Sequence, residues 1–185
     1  MKFSKAILIA AAIILLLSSC SFGKKSEQET QSEIYSKAMS YGFSYSGTEN
    51  HDYCKGKGLI ISSLTEDFRT VTTNWRTAKA YFPQLEQETW EDFLRVNANQ
   101  IPFPSDLDLG CKYMLLEIKP SPPEPPTENC PIVHFLSQIG FNSRKDQALV
   151  SHVESCGWDS CGSLYFAELI EGHWVVENLD VVVCA

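Results

Sequence analysis

The chain has 185 residues, a formal charge of −8 and 44% hydrophobic residues, which suits one domain and excludes a disordered polymer. A pI near 5.0 argues against nucleic acid as a partner, because phosphate binding needs a basic face. The cysteine count is odd at seven, high for a cytosolic protein and low for a small disulfide scaffold.

The chain opens with Lys2 and Lys5, then an unbroken apolar run of twelve residues, Ala6 to Leu17. At about 1.5 Å per residue that run reaches roughly 18 Å, short of a hydrocarbon core of roughly 30 Å. Charge, apolar run and the small residues Ser18 and Ser19 form the pattern of a secretory signal peptide. Leu17-Ser18-Ser19-Cys20 also resembles the lipobox of bacterial lipoproteins. That resemblance implies cleavage after residue 19 and lipid on Cys20, leaving 166 residues with 13 basic and 23 acidic side chains, a charge of −10. Lipid rather than charge then attaches the protein to a membrane, since two or more acyl chains are needed for a stable hold. Ser21, rather than Asp, follows the cysteine. In a host with two membranes, the sorting pattern it resembles favours the outer one.

Residues 20–33 read as a flexible polar tether, and residues 34–185 as a single α+β domain. Tyr41, Phe43 and Tyr45 at period two suggest a short extended segment, and Ile60 and Ile61 lean towards strand. Trp75, Ala78, Tyr81 and Phe82 recur at helical spacing until Pro83 stops them. Thr89 is expected to cap a second helix whose apolar face is Trp90, Phe93, Leu94 and Val96. Tyr113 to Ile118 suits a buried strand. Six of the nine prolines lie within residues 120–131, which read as a stiff exposed loop.

From Ile132 onward the pattern turns to strands. Val133 to Phe141, Ala148 to Val153, Leu164 to Ile170 and Trp174 to Val183 give a four-stranded antiparallel meander, the last two strands joined at Glu171-Gly172. The expected architecture is a helical N-terminal half packed on that meander.

Leu136-Ser137-Gln138-Ile139-Gly140-Phe141-Asn142, Gln147-Ala148-Leu149-Val150, Cys156-Gly157, Cys161-Gly162 and Gly172-His173-Trp174 occur in a familiar order. They resemble the C-terminal pattern of a family of small exported bacterial proteins without an assigned activity. Asp92-Phe93, Asn97 and Ile101-Pro102 resemble the helix that precedes it there, so the likeness spans about half the chain. The two cysteines here enclose four residues, more than in that family, and Val182-Val183-Cys184-Ala185 replaces its aromatic ending.

With Cys20 lipidated, six cysteines remain, an even set suited to three disulfides in an oxidising compartment. Cys156 with Cys161 is the expected pair, with Cys130 joined to Cys184 and Cys54 to Cys111. Thioredoxin-type chemistry wants two residues between its cysteines, so a redox role for Cys156 is the weaker reading. His51 with Cys54, and His152 with Cys156, are legitimate ligand types without established zinc spacing. Hence no metal and no cofactor are expected. His134 and His152 read as strand-face residues, and Trp158 as a contact residue at a loop tip. The functional expectation is a lipid-anchored, extracytoplasmic binding or envelope-associated module of the bacterial cell envelope, without catalysis. A wall hydrolase pairing carboxylates such as Asp52 and Glu154 with histidine is the alternative.

Overall fold

The computed structural model describes residues 25–40, 59–65, 74–117, 131–156 and 159–184, with Asp159 and residues 178–184 described by backbone alone. Among the described residues, three helices, α1 (Glu27–Ser40), α2 (Trp75–Tyr81) and α3 (Gln87–Val96), accompany seven strands. The strands are β1 (Leu59–Ser62), β2 (Tyr113–Leu116), β3 (Val133–Leu136), β4 (Gly140–Phe141), β5 (Gln147–Cys156), β6 (Asp159–Ile170) and β7 (His173–Cys184). They form one mixed sheet in the order β2-β1-β3-β5-β6-β7, with β4 also paired to β5.

The mixed sheet corrects the four-stranded antiparallel meander. The antiparallel run β3-β5-β6-β7 is present, but β1 is inserted beside it and pairs in parallel with both β2 and β3. Period-two patterning marks a residue run as strand and says nothing of its partner or direction, so a distant parallel pair leaves no local signal. The last hairpin turns at Glu171-Gly172, where both residues have positive φ (51° and 82°). Two such residues make the turn whose twist matches its flanking strands.

Strand β5 is the middle of the sheet, and Gln147 to Glu154 are buried without interruption. Its alternate residues therefore feed two cores. Ala148 and Val150 join Leu136, Tyr165, Ala167, Trp174 and the α1 residues Ile34, Tyr35, Ala38 and Met39. Leu149 joins Leu164, Phe166 and the α2–α3 residues Ala78, Phe82, Leu85, Trp90 and Phe93. Each large side chain buried this way contributes about 1.5–3 kcal/mol against leaving it in water. The expected tether is thus helix from Glu27 onward: Tyr35 Oη donates to the Ser137 carbonyl (2.7 Å), and the Trp174 amide donates to Glu33 (3.2 Å). Residues 1–24, with the signal segment, and Tyr41, Phe43 and Tyr45 lie outside the described residues, as do residues 120–130 of the proline-rich loop.

Helices α2 and α3 fall where periodicity places them. Asn74 caps α2 by accepting from the Thr77 amide (3.1 Å). Thr89 does not cap α3. It lies inside the helix, fully buried, and its hydroxyl donates to Gln147 Oε1 (3.3 Å). The expected strand from Val133 to Phe141 is broken between β3 and β4, because Asn97 Oδ1 takes the Gln138 amide (2.7 Å) away from the ladder.

Helix α3 comes unusually close to β4. A Cβ added at Gly140 would stand 2.3 Å from the Phe93 Cα and 2.4 Å from its amide nitrogen, distances no side chain tolerates. Because both opposing atoms are backbone, the helix itself would have to move. Gly140→Ala should therefore lower stability by at least about 2 kcal/mol. Urea unfolding checks this, and an unchanged midpoint would show that α3 is not seated there.

Candidate functional site

Three side chains with ligand and proton-transfer chemistry converge on the α1 side of the sheet. His134 on β3 stands directly opposite Glu154 on β5, and His152 precedes Glu154 by two residues on the same face. Their exposures are 3%, 5% and 2% for His134, Glu154 and His152. The His134 Nδ1 and His152 Nε2 atoms are 2.9 Å apart, the two rings stack at 5.2 Å, and Glu154 Oε1 is 4.0 Å from His152 Nε2. All three donor atoms lie within 4.8 Å of one another. Tyr165 on β6 stacks beside His152 at 6.4 Å, and its buried hydroxyl has no hydrogen-bond partner.

Burial governs the electrostatics here. It lowers His134 to about 4, and it holds His152 well below the ordinary histidine range, with the neighbouring His134 adding to the effect. Burial also pushes the Tyr165 phenol up, so that it stays protonated. Two neutral imidazoles and a carboxyl group thus face one another out of water. His134 and His152, expected as separate strand-face residues, are brought together with Glu154 by this convergence. The readable signal was His152-Val153-Glu154, two donors on one strand face. His134 is eighteen residues away, and only the β3–β5 register brings it in.

The expected ligand partners do not combine. Cys156 is disulfide-bonded, as are Cys161 and Cys111, so none of the three offers a thiolate. No two described cysteines are at bonding distance from each other. The expected bridge between Cys156 and Cys161 does not fit the register. Cys156 opposes Asp159 and Cys161 opposes Glu154, a diagonal relation that sets Cα atoms about 7–8 Å apart, beyond the usual reach of a disulfide. The backbone instead sets Cys161 directly opposite Cys184 on β7. Cys20, His51, Asp52, Cys54, Cys130 and Trp158 lie outside the described residues.

A second feature is an open cleft of about 440 Å³ between the start of α1, helix α3 and the β4–β5 turn. Its charged groups are already engaged: Asp92 accepts from Arg95 and from the Phe141 amide, Glu88 accepts from the Ser143 hydroxyl, and Lys145 lies 5.3 Å from the Phe141 ring centre. Beside it, Glu86 and Asp146 are both held below the usual carboxylate range, chiefly by the Arg144 guanidinium.

Gly140, Asn142 and Gln147 do structural work around this cleft. Gly140 admits α3. Asn142 Oδ1 accepts from the amides of Asp146 and Gln147 (3.1 Å each) and closes the turn. Gln147 accepts from the Glu86 amide and donates to the Gln84 carbonyl, fixing the entry to α3. No family model, no curated protein and no solved structure matches the chain.

Two outcomes follow. Because the folded chain keeps both histidines neutral while the unfolded chain protonates near 6.5, stability is complete above about pH 6.5. It is lost as the pH falls towards 4, by on the order of 3 kcal/mol for His134 alone. Denaturation midpoints measured from pH 8 to 5 should be flat and then fall below 6.5, and a flat profile throughout would contradict neutral buried imidazoles. Non-reducing peptide mapping should recover Cys161 joined to Cys184. Recovery of Cys156 joined to Cys161, or of Cys130 joined to Cys184, would refute that bridge.

Proposed function

We propose that the chain is a lipid-anchored, extracytoplasmic bacterial protein that acts as a non-catalytic binding or envelope-associated module. The anchor rests on Leu17-Ser18-Ser19-Cys20 and the apolar run before it, which resemble a lipoprotein signal. Cys111, Cys156 and Cys161 in disulfide form suit an oxidising compartment outside the cytoplasm. No helix of the described residues is long and apolar enough to cross a membrane. The likeness to small exported bacterial proteins points the same way.

One observation carries the non-catalytic reading. The described histidines closest to a carboxyl group, His134 and His152 beside Glu154, are sealed at 5% exposure or less, where a polymeric substrate has no access. A hydrolase needs its acid and base within hydrogen-bond reach of the bond it cleaves. The open cleft is the surface available to a partner, and its Asp92 and Glu88 hold α3 to the β4–β5 turn through the Phe141 amide and the Ser143 hydroxyl.

Mass spectrometry of membrane-extracted protein tests the anchor. The expected product begins at Cys20 and carries acyl chains, and Cys20→Ser should leave the protein unacylated and shift it from the membrane to the soluble fraction. An unacylated wild-type chain, or one still carrying residues 1–19, would refute the proposal.

A further inference from the structure

We propose that His134, His152 and Glu154 bind one divalent transition-metal ion of the zinc class at a buried three-ligand site inside the sheet. The first argument is the donor set. Two imidazole nitrogens and one carboxylate oxygen suit zinc and its first-row neighbours, whereas calcium and magnesium want oxygen alone. The second is geometry. Zinc takes nitrogen and oxygen at about 2.0–2.2 Å, which places donors around a common ion about 3.3 Å apart. The His134–His152 separation of 2.9 Å and the His152–Glu154 separation of 4.0 Å lie on either side of that value. All three donors lie within 4.8 Å of one another on two paired strands, so side-chain rotation that exchanges the His134–His152 hydrogen bond for the ion brings them to one centre.

The third argument is an independent one. The Tyr165 hydroxyl is fully buried, lies within reach of the Glu154 charge and makes no well-formed hydrogen bond, its contact with Ser163 included. Native interiors seldom leave such a group unsatisfied without a reason, an unfilled ion or water site among them. The site is sealed, so the ion serves the fold: it ties β3 to β5 where β1 joins the sheet, at Ile61 opposite His134. The inference does not depend on the lipid anchor. It gives the polar cluster a role that neither the cleft nor the disulfides absorb.

The test uses the full oxidised chain, purified without chelator or reductant, with zinc(II) alone as the probe. Metal content and thermal unfolding are read together. One zinc per chain is expected, with a midpoint about 5–10 °C higher at a hundredfold excess over Kd than after chelation. Glu154→Gln and His152→Gln, folded by circular dichroism, should bind at least tenfold more weakly. Zinc binding undiminished in those variants, or a wild-type midpoint indifferent to zinc and chelator, overturns the proposal. Should neither variant fold, cobalt(II) in the wild-type chain decides. Visible d–d bands without thiolate charge transfer support the site, and thiolate charge transfer or no visible band refutes it.

Discussion

Burial of β5 on both faces is the constraint from which the rest of the structure follows. A strand covered on one side tolerates some looseness, since half its residues face water. Here Gln147 to Glu154 have no such half. Moving the register by one residue would exchange the two cores, sending Leu149 towards α1 and Val150 towards α2–α3, and would turn His152 and Glu154 to the opposite face. The same alternation that packs the sheet therefore assembles the histidine–glutamate cluster. Neither can be changed without the other.

A sheet covered on both faces still has to satisfy the polar groups enclosed with it. Asn97, Asn142 and Gln147 are buried at 2%, 2% and 6% exposure, and the side-chain oxygen of each accepts from a backbone amide while its NH2 group donates to a carbonyl or carboxylate. Asn97 alone bonds the Phe93 carbonyl and both the amide and carbonyl of Gln138. Leaving any of these donors or acceptors without a partner would cost about 1–3 kcal/mol. Such polar clamps, together with the close backbone contact at Gly140, set where α3 sits and hence the shape of the cleft.

Much of the architecture was legible locally. Helical spacing around Trp75 and Trp90, the hairpin at Glu171-Gly172 and the strands after residue 147 are short-range patterns, and they fold as they read. What was not legible depends on distant partners. Glu27 to Ser40 looks polar because its buried stripe of Ile34, Tyr35, Ala38 and Met39 is narrow, and only contact with β7 reveals its packing role. The parallel seat of β1 beside β3, and the break made by Asn97, are likewise invisible to periodicity. In the candidate site, His152 and Glu154 were within reach of sequence reasoning, while His134 required the register. For the cysteines, nearness along the chain points to Cys156 with Cys161, whereas the strand register sets Cys161 opposite Cys184.

The proposed metal site would tie together two strands of a sheet whose described cysteines are already held in disulfide form. The central claim is that one strand face gathers an ion from two strands without using sulfur. X-ray absorption at the zinc edge of the zinc-loaded, oxidised chain tests it most directly. The account predicts a first shell of nitrogen and oxygen at about 2.0–2.2 Å with the multiple-scattering signature of two imidazoles. A sulfur shell near 2.3 Å, or a shell without imidazole, would contradict it.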